Sequence, residues 1–162
     1  HGRIWRPTDE AALEAFYSNP TIQKSLDVAR VFESWNPETR VLDNQAHVQR
    51  HGYGMMALWE TGTDELVGTI GLLNVGGPEY PELHLVIHPR FWGRGFATEA
   101  VGSLIRYARR NLKLTRLDAI LHPDNPAAER VLLKNGYQEL HPILTPLGTE
   151  LLVFHYSNEC GR

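Results

Sequence analysis

The chain has 162 residues, enough for one domain with a full core, and its 42% hydrophobic and 22% charged content is ordinary for a globular protein. A net charge of −3, with no basic block longer than Arg109-Arg110, argues against a nucleic-acid surface as the main role. One cysteine, Cys160, excludes an intramolecular disulfide, and no apolar run nears the roughly 18 residues that span a bilayer. No signal-peptide pattern follows His1-Gly2, which resemble a tag remnant and carry no weight, so the expectation is a soluble cytoplasmic protein without a membrane partner.

In chain order, Arg3–Arg6 reads as a short strand stopped by Pro7. Thr8 caps a helix with acidic Asp9 and Glu10 in its first turn, running to about Ser18, where Asn19-Pro20 stops it. Residues 21–43 show no clean period. Residues 43–52 read as a helix with Asp43 as cap. Residues 55–59 and 66–73 form a hairpin about Thr61-Gly62-Thr63-Asp64. Gly76-Gly77-Pro78 breaks the chain ahead of a third long strand, 82–88. Residues 96–112 are helical, with Ala97, Val101, Leu104, Ile105, Ala108 and Leu112 at spacings of three and four.

Residues 116–121 are a strand. Asp124 caps a second helix with Pro126 in its first turn and Gly136 at its end. Residues 137–140 and 150–156 are the last strands. The pattern predicts a single domain over residues 1–162. Its strand-helix-strand-helix order after residue 82 implies a parallel or mixed central sheet. Ligands bind in such sheets beyond the carboxyl ends of the strands, where parallel neighbours part.

Residues 89–100 join the third long strand to its helix through Gly93-Arg94-Gly95. The first N–H groups of a helix have no partner within it and the dipole makes that end positive, so anions bind there. The glycines remove side chains that would hold a phosphate off the backbone. The turn is not a Walker loop, because no Gly-Lys-Ser/Thr follows, and Thr98 replaces the third glycine of a dinucleotide fingerprint. On this pattern alone, a glycine turn without a ligand is an equal reading.

The segment Ile87-His88-Pro89-Arg90-Phe91-Trp92-Gly93-Arg94-Gly95-Phe96-Ala97-Thr98-Glu99-Ala100 resembles the acetyl-CoA-binding motif of GCN5-related N-acetyltransferases (GNAT). The similarity is strongest to the branch containing the ribosomal-protein N-terminal acetyltransferases, with its P-x-x-W/Q-G-x-G-x-A-T-E-A. Asn125-Pro126-Ala127-Ala128-Glu129-Arg130-Val131-Leu132-Leu133-Lys134-Asn135-Gly136-Tyr137 resembles that branch's N-x-x-S-x-R-V-L-x-K-x-G-F, and Gly68-Thr69-Ile70-Gly71-Leu72 its G-x-I-G-L strand. The family motif fits as Arg90…Gly93…Gly95 or as Trp92…Gly95…Ala97. The second is preferred; it starts the helix after Ala97 and puts Trp92 where Gln or Arg is usual.

The resemblance implies an α/β (α+β) fold. Its mixed central sheet would have about seven strands, helices on both faces and a splay between strands 4 and 5. It implies an acetyl-CoA-dependent N-acetyltransferase acting on a small-molecule or peptide amine, with no metal and with a homodimer left open. Leu85, Val86 and Ile87 would pair with the pantetheine arm. The amides of Gly93, Arg94, Gly95, Phe96, Ala97 and Thr98 would hold the pyrophosphate, with Trp92 in the same motif. Asn125 would bond the cofactor arm or simply cap its helix. Arg94 would add a charge or lie in solvent, and Lys134 would reach a phosphate or, as the preferred reading, face solvent.

Glu82 is the candidate base and His84, two residues on, the alternative; each has an equal reading as a structural residue. The resemblance also implies departures. Leu132 stands where many members carry a tyrosine acid, and Ala128 where serine is frequent. That leaves a second functional reading, a non-catalytic acyl-CoA-binding module. Specificity would come from residues 18–52, 74–81 and 141–149, with Trp35, Tyr17, Tyr53 and Tyr80 as lining or packing residues. Tyr137 is expected in the core.

Overall fold

A computed structural model describes residues 1–29, 39–74, 80–145 and 148–157. Two compact units divide the chain: residues 1–73 with 84–96, and 74–83 with 97–162.

In the first unit, β1 (Gly2–Ile4) pairs antiparallel with β2 (Met55–Trp59), and β2 with β3 (Leu66–Leu73), the hairpin expected from the sequence. The strand β4 (Glu82–Ile87) lies beside β3. Because β3 has a strand on each side, it is buried at every residue from Val67 to Leu73. The first strand begins earlier than predicted and ends at Ile4; Trp5, whose amide still donates to the Met55 carbonyl at 3.4 Å, enters the core with Leu13, Phe16, Tyr17, Ile22, Val41, Met55, Ala57 and Leu73.

Three helices cover this core. A 3-10 turn, Pro7–Asp9, precedes α1 (Glu10–Tyr17), so Thr8 lies inside a turn instead of capping. Asp9 is buried and accepts from Arg3 Nη2 at 2.7 Å and from the Arg6 amide at 2.9 Å. Asn19-Pro20 stops α1 and also starts α2 (Pro20–Ala29): Asn19 Oδ1 accepts from the Thr21 amide at 3.0 Å, and Pro20 opens the helix, where its missing N–H costs nothing. The helix α3 (Arg40–His51) starts three residues before the predicted cap. Asp43 therefore sits in its first turn, accepting the Thr39 hydroxyl at 2.5 Å, and Gly52 ends it at φ 80°.

Within α3, Asn44 is fully buried and bonds both backbone groups of Met55, through Nδ2 to the carbonyl at 2.9 Å and Oδ1 to the amide at 2.7 Å. Replacing it removes the Asn44 partner of the buried Met55 amide and one of two donors to the Met55 carbonyl, which the Trp5 amide also reaches at 3.4 Å. Asn44→Ala is expected to lower unfolding stability by about 2–4 kcal/mol in a denaturant titration.

In the second unit, the start of β4 runs parallel to β5 (Arg116–Leu121), registered at Glu82↔Asp118. Antiparallel to β5 lies β8 (Glu150–Ser157), which also pairs with two short strands, β6 (Gln138–Glu139) and β7 (Ile143–Leu144). The fold is therefore mixed α/β, with eight strands among the described residues against the expected seven or so, antiparallel in most pairings and parallel at β4–β5. The extra strand is β7, two residues in a stretch read as a turn.

The helix α4 (Phe96–Arg110) buries Val101, Leu104, Ile105 and Ala108, the predicted face. The helix α5 (Pro126–Lys134) is capped by Asn125, whose Oδ1 accepts from the Ala128 amide at 3.1 Å. Asp124 is thus not the cap. Leu132 and Tyr137 are buried.

Candidate functional site

The first unit carries β4 from His84 onward and the glycine turn. Leu85, Val86 and Ile87 are half-buried. Gly68 on β3 permits this placement, since a Cβ there would lie 2.3 Å from the Val86 carbonyl oxygen. After β4, His88 Nδ1 accepts from the Arg90 amide at 3.2 Å and opens a 3-10 turn, Pro89–Phe91. Trp92 is exposed, yet its indole Nε1 donates to the Ile87 carbonyl at 2.8 Å, fixing the turn against the end of the strand.

Gly93 and Gly95 both have left-handed backbones, φ 73° and 84°, and no atom lies within 4 Å of the point where either would carry a Cβ. A side chain at either position would enter open space. Between them, Arg94 is committed to protein: it pairs with Glu60 at 2.6 Å and its guanidinium lies 5.3 Å and 5.0 Å from the Phe91 and Phe96 ring centres. What Arg94 leaves for an anion is its amide. The helix begins at Phe96, ahead of the start after Ala97 that the Trp92…Gly95…Ala97 register requires. Phe96, Ala97 and Thr98 thus occupy the first turn, whose N–H groups have no intrahelical acceptor. Amides at a positive helix end, beside glycines that add no bulk, are the kind of backbone that holds anions.

The second unit holds Ala97, Thr98, Asn125 and Glu82. Asn135 Nδ2 bonds the Thr98 carbonyl at 3.3 Å and the Val131 carbonyl at 2.9 Å, tying the first turn of α4 to α5. Asn125 spends its oxygen on its helix cap, which leaves its amide nitrogen as the donor for a ligand. Lys134 is exposed.

The two base candidates have opposite environments. Glu82 is half-buried, and burial, then the charge of Asp118, pushes its pKa up to about 7. Asp118, its neighbour across the parallel ladder, is held by Arg116 Nε at 2.7 Å, and Arg116 stacks on Tyr80 at 4.5 Å. His84 is buried, and burial, then His47, pushes its pKa down to about 4. It therefore stays neutral across the physiological range. Sequence reasoning missed Asp118, because its only signal is a register that no local pattern encodes. Tyr137 is buried as expected, and its hydroxyl has no hydrogen-bond partner among the described residues; burial and then Asp118 raise its pKa.

The proposed lining residues divide. Tyr17 is core, its hydroxyl 2.8 Å from Thr69 Oγ1, and Tyr53 packs on His47 and His51. Trp35 and Cys160 lie outside the described residues, as do 75–79 and 146–147 of the two loops.

The profile of the Acetyltransferase (GNAT) domain family matches residues 3–138. The chain belongs to the GNAT family. An uncharacterized N-acetyltransferase, YoaA of Bacillus subtilis (strain 168), is 37% identical over 78 residues, 48% of this chain and 44% of that protein. The chain spans about half the length of the curated relatives it matches. The ribosomal-protein-S5-alanine acetyltransferase from Vibrio fischeri superposes with a TM-score of 0.79 at 15% identity over 99% of this chain and 94% of the other. A spermidine N-acetyltransferase from Vibrio cholerae, in complex with CoA and spermine, gives 0.78 at 15% identity over 97% and 94%. At such identities the likeness is one of fold. No helix among the described residues of this GNAT chain is long and apolar enough to cross a membrane.

Proposed function

We propose that this protein, as one domain over residues 1–162, moves an acetyl group from acetyl-CoA to a primary amine by direct attack in a ternary complex. The observation that carries the reading is the unobstructed turn at Gly93–Gly95 leading into the first amides of α4. Acetyl-CoA supplies the acetyl group as a thioester. In this reading the amides from Gly93 to Thr98 hold its pyrophosphate, the half-buried backbone of Leu85–Ile87 accepts the pantetheine arm as an added strand, and the Asn125 amide bonds that arm.

The acceptor nitrogen forms the new C–N bond as the C–S bond breaks, and its proton passes to Glu82. A carboxyl with pKa about 7 is half ionised at neutral pH and suits that task. Because Leu132 is buried among core residues, no tyrosine acid comes from α5, and the thiol leaves as thiolate, consistent with a pKa of about 8.5 for a simple thiol. The branch reading rests on the motif residues 89–100 and makes protein N-termini one acceptor class to test.

The same buried Leu132 favours a second reading, acyl-CoA binding without transfer. Calorimetry with acetyl-CoA and CoA, followed by CoA-release assays over amino acids, polyamines, aminoglycosides and N-terminal peptides, separates the two. Sub-millimolar binding with release on at least one amine is expected. Binding without release from any of them would favour the sensor, and no binding would remove both.

A further inference from the structure

One cavity, of about 310 Å³, lies wholly inside the first unit, walled by α1, α2 and α3. Arg40, the first residue of α3, lines it with its guanidinium 4.0 Å from the centre of the Tyr17 ring. Its Nε is buried without a hydrogen-bond partner, and no carboxylate among the described residues pairs with it. Tyr17 cannot neutralise it: burial pushes that hydroxyl up to about 12, so the ring is uncharged. A partly buried cation facing a cavity, with no carboxylate among the described residues paired to it, costs less when a ligand provides the anion. Arg40 is also the side chain best shaped to take a carboxylate, with donors in a planar fork.

The cavity's surroundings connect it to β4. Tyr17 is bonded to Thr69 on β3, the strand beside β4. At the α1–α2 corner, Phe16 packs on His88 at 6.0 Å between ring centres and Asn19 Nδ2 sits 3.4 Å from His88 Nε2. His88 directly follows the strand that the acetyltransferase reading assigns to the pantetheine arm. Glu10 and Glu14, one helical turn apart, line the same cavity and are exposed. They repel a ligand that is only negative and favour one that also carries an ammonium.

We propose that this cavity receives the carboxylate end of a zwitterionic acceptor, a small amine bearing a carboxylate, with Arg40 as the residue that selects it. The inference rests on the acetyltransferase reading and narrows its substrate class; bare polyamines are then poor ligands here.

The test needs no variant to begin. Calorimetry in the presence of CoA compares β-alanine, 4-aminobutanoate, L-alanine and L-phenylalanine with their carboxamides. At least one acid is expected to bind ~10-fold or more tightly than its amide, the scale of one charged hydrogen-bonded contact. Arg40→Gln is expected to bring acid and amide within about twofold of each other by weakening the acid alone, with CoA affinity and melting temperature little changed. Arg40→Lys retains part of the preference. Equal binding of acid and amide in the wild-type protein, no binding of either up to millimolar concentrations, or an unchanged preference in Arg40→Gln would each overturn the inference. CoA release on the same samples tests transfer separately: preference without release sinks the transfer reading alone, and release without preference sinks only this one.

Discussion

Glu82→Gln is expected to lower kcat at neutral pH by about 100-fold, within the usual contribution of a general base, while leaving the affinity for acetyl-CoA unchanged. The wild-type rate should rise with pH and level off above about 7, where the Glu82 carboxyl has ionised; the variant should lack that limb. A rise centred near 4 would instead assign the base to His84, whose burial holds it there. The same substitution makes a stability prediction of fixed sign. Below the ordinary carboxyl pKa of 4.5, Glu82 is protonated in both folded and unfolded chains and contributes nothing. Between 4.5 and about 7 the unfolded chain ionises first, so stability falls as pH rises, and above that the penalty is constant. Glu82→Gln should therefore melt higher than wild type at pH 8 and no higher at pH 4. A variant that lost turnover and also melted lower at pH 8 would point to a structural carboxylate.

What could be read from the sequence was what is local. The α4 face follows from one helical period, and the turn at Gly93–Gly95 from two residues that tolerate left-handed backbones, observed at φ 73° and 84°. Asn19-Pro20 misled because one dipeptide can both end a helix and begin the next; the stop is visible alone, whereas the start depends on α2, whose sequence has no clean period. Asp124 is the wrong expectation for the α5 cap, because Pro126 in the first helical position makes Asn125 the cap. The remaining site residues answer to tertiary structure. Asp118 acts on Glu82 through a parallel register, and Arg40 stands out only because helix packing buries its Nε with no hydrogen-bond partner among the described residues. His84 shows the limit most plainly: an unperturbed histidine suits neutral-pH base chemistry, and only burial reveals that this one has been pushed away from it.

Gly95→Glu is expected to weaken CoA binding by about 100-fold or more, since it sets a carboxylate among amides that, in the acetyltransferase reading, face a pyrophosphate. Two effects act together in that variant and a second substitution separates them. Gly95 has φ 84°, so any side chain strains the backbone, by about 1–2 kcal/mol for an ordinary residue and less for asparagine, which adopts the left-handed region more readily. Gly95→Asn thus carries the bulk and a smaller strain without the charge. With no atom within 4 Å of the added Cβ, neither variant has a steric reason to unfold, and both should melt within a few degrees of wild type. If charge against phosphate dominates, calorimetry will show Gly95→Asn close to wild type and Gly95→Glu far weaker, with the Glu variant partly recovering for a pantetheine thioester that lacks the pyrophosphate. Equal losses in both would make the turn's conformation the main contribution. Undiminished CoA binding by Gly95→Glu would move the anion site off α4, and with it the placement of the thioester alongside Leu85–Ile87.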